Sequence, residues 1–276
     1  MSALLATGQL QIGGACLVYQ TIDAAGGGSM PFLFQHGMGG DANQPIGYIG
    51  DAPPSPLISL NARGHAPSSD IDPAAATFDT FADDVIALAD QLELVGFVVG
   101  GISLGAGTAL NLAIRYPDRV TALVLCRPAW LDQPQAEFNR HAYTEIADLL
   151  ERYPPETAAA RFTQTRTYHT VRNISTAAAA SLLGQLTRPR AAQNAVILRA
   201  FPGSSPTTSI ETWRAVEVPT LVIGHHDDPF HPYEIAEAHA DTIPGATLRT
   251  VPSKDADPAR FAAVIQTALH DFLRRL

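Results

Sequence analysis

A mostly parallel, doubly wound α/β sheet carrying a helical insertion is the fold class this sequence predicts, and three observations carry it. Six short apolar runs, each of strand length and each ending in turn residues, alternate with helical patterns over most of the chain. The runs are continuously apolar, as strands buried on both faces are. Residues 130–215 break the alternation with a stretch that is helical in pattern and holds no strong strand. The chain therefore reads as a core of residues 1–129 and 216–276 with an inserted helical lid of 130–215.

The elements follow in order. "QLQI" and "CLVYQTI", separated by "GGA", read as an antiparallel hairpin. The strand runs are "MPFLFQHG", "PLISLNARG", "GFVVGGIS", "VTALVLCRP", "VPTLVIGHH" and "ATLRTVPS". Over 77–92, Phe78, Phe81, Val85, Leu88 and Leu92 fall on one helical stripe. A second helix is expected over 104–116. Inside the insertion, "AYTEIADLLERY" and "AAAASLLGQL" are the helical segments. A last helix over 257–274 places Phe261, Val264, Ile265, Ala268, Leu269 and Phe272 on one face. Pro258 stands near its start, where a missing N–H costs nothing.

Composition narrows the function. Apolar residues make up 46% and charged residues 16%, which suits a packed core rather than a disordered chain. The formal charge of −9 argues against a nucleic-acid partner. Residues 129–214 hold nine Arg against seven Asp and Glu, or +2, so the remainder carries −11. Cys16 and Cys126 both sit in apolar runs, and are expected as buried free thiols of a reducing compartment. "MSALLATGQLQIGG" lacks the basic start of a signal peptide, and no run reaches the ~20 apolar residues of a membrane helix. A cytoplasmic protein without a membrane partner is expected. No metal-ligand spacing and no dinucleotide fingerprint occurs, so no cofactor is expected.

The chemistry concentrates at Gly101-Ile102-Ser103-Leu104-Gly105, between the strand "LVGFVVG" and the helical "AGTALNLAIRY". This is the setting of a nucleophile elbow, in which the serine occupies a sharp strand-to-helix turn. The helix start adds N–H groups and a positive partial charge at the same point.

"FLFQHGMGG" places a His-Gly turn after a strand, and "LNARGHAPSS" keeps the frame of Asp-x-Arg-Gly-x-Gly-x-Ser, with Asn61 for the aspartate and Ala66 for a glycine. With the elbow, the insertion and the last strand and helix, these segments resemble the α/β-hydrolase superfamily over nearly the whole chain. The resemblance implies an α/β-hydrolase fold and a serine nucleophile. It also implies an oxyanion hole made by the backbone N–H groups of Met38 and Leu104, with His36 and His65 belonging to the loop scaffold.

In that superfamily an acid follows the strand after the lid, and a histidine follows the last strand. Here "HHDDPFHP" offers Asp228, with Pro232 four residues on, and Asp227 as the fallback. The last loop, "TVPSKDADPARF", contains Lys254, the chain's sole lysine, and no histidine; the usual position falls near Asp255. His270 lies too deep in the last helix to reach the serine. His141, His169 and His239 read as surface residues. His231, three residues after Asp228, is the candidate for a displaced base, with His225 or His226 next. The competing reading is that His231 only caps or packs its loop. A branch of the superfamily carries Asp-x-x-His-Pro here and Lys-x-x-Asp in the last loop, and Asp228, His231, Pro232, Lys254 and Asp257 match it, as does "CRPAWLD". Lys254 either binds an anion, braces Asp228 or is a plain surface lysine.

Two functions follow. The first is acyl chemistry through Ser103 on a small-molecule ester or thioester, as a hydrolase or an acyltransferase. In the transferase form, Arg161, Arg166, Arg172, Arg188, Arg190 and Arg199 of the lid would receive an acidic acyl-carrier protein or a coenzyme A phosphate, unless they are a solvated face. Such a transferase would suit natural-product biosynthesis. The second is a catalytically silent member that binds a small molecule under the lid.

Overall fold

The computed structural model describes residues 5–25 and 30–276. Its sheet has eight strands: β1 (Leu5–Ile12), β2 (Ala15–Ile22), β3 (Phe32–Gln35), β4 (Leu57–Leu60), β5 (Phe97–Ile102), β6 (Val120–Cys126), β7 (Thr220–Gly224) and β8 (Thr247–Thr250). Their spatial order is β1-β2-β4-β3-β5-β6-β7-β8. β2 pairs antiparallel with both β1 and β4, and every other pairing is parallel.

Alternate residues of the central strands serve opposite layers, which is why their sequences are apolar throughout. Leu33, Val99, Leu123, Leu125 and Val222 join the cluster under α2 (Phe78–Gln91) and α3 (Leu104–Arg115). Phe32, Phe34, Val98, Val124 and Ile223 join the cluster under α10 (Pro258–Leu273), which also contains Ile49 of α1 (Asn43–Ile49).

Between β6 and β7 lie α4 (Glu137–Arg152), α5 (Pro155–Phe162), α6 (Arg166–Ile174), α7 (Thr176–Thr187) and α8 (Ala195–Ala200). These helices build an apolar cluster of their own around Tyr143, Ile146, Phe162 and Leu186. A second cluster of Phe78, Phe81, Trp130 and Phe201 ties them to the sheet layer. Phe78 and Phe201 meet edge to face at 5.0 Å, as aromatic quadrupoles prefer.

Several expectations shift. α1 was not anticipated, because Pro45 and Gly47 obscure its short pattern. β8 is an edge strand with mostly exposed residues rather than a buried one. Cys126 is buried, but Cys16 is only half-buried; both are free thiols. His239 of α9 (Tyr233–Thr242) is buried, not a surface residue. It stacks on Trp213 at 4.1 Å and donates from Nδ1 to the Ile235 carbonyl. Burial lowers its pKa to about 4. Among the described residues, no helix is long and apolar enough to cross a membrane.

Candidate active site

β5 delivers Ser103 into the turn that opens α3. Ser103 has φ 56° and ψ −109°, a left-handed conformation costing a side-chain-bearing residue about 1–3 kcal/mol. The chain is pinned there from both sides: its N–H donates to the Cys126 carbonyl at 2.9 Å, and its carbonyl accepts from the Gly107 N–H at 3.1 Å. The flanking glycines are demanded by contact. A Cβ on Gly101 would fall 2.1 Å from the Gly105 carbonyl carbon, and one on Gly105 would fall 2.4 Å from the Gln35 carbonyl oxygen.

The strained turn aims Ser103 Oγ at His231 Nε2, 2.8 Å away. His231 Nδ1 lies 2.9 Å from Asp228 Oδ2. An ionised carboxylate only accepts hydrogen bonds, so Nδ1 carries the ring proton and Nε2 offers its lone pair to the serine hydroxyl. Asp228 is buried, and its other oxygen accepts the Phe230 N–H at 3.1 Å. Burial opposes its charge, but His231 and the Arg127 guanidinium together hold the carboxyl well below the usual carboxylate range.

Arg127 escaped the sequence reading. It follows β6 with φ 50°, and its N–H donates to the Ile223 carbonyl at 2.7 Å. Its Nη2 donates to Asp228 Oδ2 and stands 3.0 Å from His231 Nδ1. Both nitrogens are donors converging on one oxygen, so the Arg127–His231 approach is a contact of two positive edges. Burial lowers the His231 pKa, Asp228 raises it and Arg127 lowers it again; the balance falls below 6.5. His231 is therefore neutral at neutral pH.

The His-Gly loop after β3 is fixed by two histidines. His36 donates from Nδ1 to the Gly37 carbonyl at 2.8 Å and accepts the Ala62 N–H on Nε2 at 3.0 Å. His65 accepts the Gly39 N–H on Nε2 at 3.1 Å and donates to the Arg63 carbonyl. Burial holds His36 at a pKa of about 4 and His65 well below the ordinary value. Both are neutral braces rather than acid–base groups. Asn61 and Ser68 complete the frame: Asn61 accepts the Ala42 N–H, and Ser68 Oγ donates to the Asn61 carbonyl. The N–H of Leu104 opens α3 and so has no acceptor inside its helix. Among the described residues, neither that N–H nor that of Met38 finds an acceptor.

The other candidates stand outside this chain of contacts. Asp227 is exposed at φ 65°. His225 is buried, donates to the His226 carbonyl at 2.7 Å, and keeps its Nε2 3.5 Å from Asp228; His226 is exposed. Lys254 is exposed and shares a cavity of about 380 Å³ with Arg127, His225, Asp228 and Tyr48. His270 donates to the Ile49 carbonyl at 2.7 Å. Asp257 caps α10 by accepting the Arg260 N–H.

Asp255, at the position where a histidine was expected, joins the last loop to the inserted helices. It accepts from Ser175 Oγ and Thr176 Oγ1, both at 2.5 Å, and from the Ala177 N–H at 2.8 Å, at the start of α7. Asp255→Ala is expected to lower stability by about 1 kcal/mol, as loss of an N-terminal helix acceptor does. A shifted urea midpoint with unchanged labelling of Ser103 is the expected reading.

A family model described as alpha/beta hydrolase fold matches residues 30–256. The chain is 30% identical over 124 residues to the dihydrolipoyllysine-residue acetyltransferase component of an acetoin cleaving system from Pseudomonas putida, covering 45% of this chain and 33% of that protein. It is 27% identical over 213 residues to the 2-succinyl-6-hydroxy-2,4-cyclohexadiene-1-carboxylate synthase of Enterobacter sp. (strain 638), covering 75% and 80%. The matches span about a third of the length of the first curated relatives. Among solved structures, an enol-lactonase from Burkholderia xenovorans LB400 superposes with a TM-score of 0.75 at 19% identity, over 97% of this chain and all of that one. At that identity the likeness shows the fold.

Proposed function

Because the chain belongs to the alpha/beta hydrolase fold family, we propose that it takes an acyl group from an ester or thioester onto Ser103, with His231 as general base and Asp228 as the acid that orients it. The observation that carries this reading is the continuous hydrogen-bonded chain from Ser103 Oγ through His231 to Asp228, at 2.8 and 2.9 Å. A base three residues from its acid answers the histidine missing from the last loop, and so supports a catalytic over a silent member.

In the proposed reaction Ser103 Oγ attacks the carbonyl carbon as its proton passes to His231 Nε2. The Met38 and Leu104 N–H groups face the resulting oxyanion; one such donor is worth about 3 kcal/mol in other enzymes. Asp228 stabilises the imidazolium without taking its proton. Collapse expels the alcohol or thiol, protonated by His231, and leaves acyl-Ser103. Water then gives hydrolysis, and a competing nucleophile gives acyl transfer. An acidic carrier protein remains the proposed donor for the transferase form, but the lid arginines are partly spent. Arg199 pairs with Asp148 and Glu151 at 2.7 Å, Arg190 pairs with Asp70, and Arg161 lies over the Tyr153 ring.

Intact-mass analysis after incubation with a serine-directed phosphonate or a p-nitrophenyl ester tests the proposal. The expected result is one adduct on the wild type and none on Ser103→Ala; an equal adduct on both overturns it. The pH profile follows from His231. Its neutral form is the active one and its pKa is lowered, so the acid limb of kcat/KM should fall below pH 6.5. Stopped-flow acylation from pH 4.5 to 8 reads this directly.

A further inference from the structure

The guanidinium of Arg188 is the least satisfied charged group among the described residues. Its Nε, Nη1 and Nη2 are all buried, and none has a hydrogen-bond partner. Arg188 ends the α7 segment and reaches the oxyanion loop, where Nη1 stands 2.2 Å from the point a Cβ on Gly39 would occupy. Gly39 has φ 79° and directly follows Met38. Gln185, one turn earlier on α7, donates to the Met38 carbonyl at 3.0 Å while its own Oε1 is buried without a partner. One helix end therefore both buttresses the loop and lays a bare cation against it.

The surroundings offer this cation nothing. His36 and His65 on the loop are neutral. Asp41 is exposed, and one of its oxygens accepts the Asn43 N–H. Tyr143 is buried, and burial pushes its phenol pKa up, so it stays protonated. Burial lowers Arg188 only to about 10, so it is charged at neutral pH. An unpaired buried charge is strongly destabilising, and a fold that retains one gains by meeting an anion there.

We propose that Arg188 is the substrate-recognition residue of this site and binds a carboxylate carried by the acyl substrate a few bonds from the reacting carbonyl. Proximity to the carbonyl follows from the guanidinium's contact with the residue after Met38. A carboxylate matches the planar fork of a guanidinium. Its single charge neutralises Arg188, whereas a phosphate dianion would leave a net negative charge beside Asp41. Beside Arg188 a cavity of about 370 Å³, lined also by Gly39, Gly40, Asp41, Asn43 and His65, offers room for such a group.

This inference rests on the acyl-enzyme reading, and two measurements keep the failures apart. In the first, kcat/KM is compared for mono-p-nitrophenyl succinate and p-nitrophenyl butyrate with wild type, Arg188→Met and Arg188→Lys. The wild type is expected to prefer the succinate. Arg188→Met should lower the succinate-to-butyrate ratio about a hundredfold, as losing one partner of a buried charge pair does, with partial recovery in Arg188→Lys. In the second, Ser103→Ala is titrated calorimetrically with monomethyl succinate, a monoanion at neutral pH, and with inorganic phosphate, with and without Arg188→Met. Monomethyl succinate should bind only when Arg188 is present. The melting temperature of Arg188→Met should equal or exceed that of wild type, because an unpaired buried charge has been removed. An unchanged ratio, monomethyl succinate binding that survives Arg188→Met, or phosphate binding tighter than monomethyl succinate overturns the proposal. If no ester acylates Ser103 but monomethyl succinate binding still depends on Arg188, the acyl-enzyme reading fails and the anion site stands.

Discussion

His231→Ala is expected to slow acylation of Ser103 by about four orders of magnitude or more, since a triad works as a unit and loses most of its rate with any core member. The hydroxyl at 2.8 Å loses its proton acceptor, and no second base replaces it. His225 is occupied with the His226 carbonyl, His36 is locked between Gly37 and Ala62, and His270 is bonded to Ile49. Stopped-flow acylation with p-nitrophenyl butyrate provides the measurement, with folding checked by circular dichroism. His225→Ala is the control and should retain the acylation step to within about tenfold. Acylation undiminished in His231→Ala would assign the base elsewhere.

The second large effect is at Arg127. Removing it leaves Asp228 buried with its guanidinium partner gone and only His231 and the Phe230 N–H remaining, and breaking such a pair costs about 3–5 kcal/mol. Arg127→Met should lose stability of that order in urea unfolding. It should also move the acid limb of kcat/KM upward. Arg127 lowers the His231 pKa, so its loss favours the imidazolium, and the neutral base appears only at higher pH. The direction separates this account from a merely structural one, which predicts lower stability and an unmoved limb. Arg127→Lys should recover part of the charge effect but not the fork geometry that reaches Asp228 and Tyr48 together.

The contrast between Ser103 and Arg127 shows what the residues alone convey. The elbow is a local signal: a strand, two glycines without room for a Cβ, and a helix start are adjacent in the chain, so Ser103 was legible. Asp228 and His231 share one short loop, so their pairing was legible too. Arg127 is one of many arginines, and its role depends on a left-handed residue at the end of β6 and on β7 lying beside it, neither of which a linear pattern encodes. Arg188 reads in sequence as one of six lid arginines that either meet an acidic carrier or face solvent, because burial of a guanidinium is decided by packing against the Gly39 loop. His239 misled for the same reason, since its partner Trp213 belongs to a different element. α1 was hidden by Pro45 and Gly47, while the central strands, apolar on both sides of the sheet, announced themselves.

The placement of acid and base on one loop has a mechanical consequence. His231 is held to Asp228 through both the side-chain contact at 2.9 Å and a backbone N–H to carbonyl bond at 3.3 Å. The pair therefore moves as one cartridge, and only a single joint, between that cartridge and the elbow, has to stay in register during thermal breathing. A triad drawn from three separate segments has two such joints. The tail of the sheet is thereby released from alignment duty, and can drift in sequence or be replaced wholesale at little risk to proton transfer. By the same logic, residues 225–232 together with Arg127 form a transplantable unit: grafted opposite another elbow, they would bring both proposed partners of the serine at once.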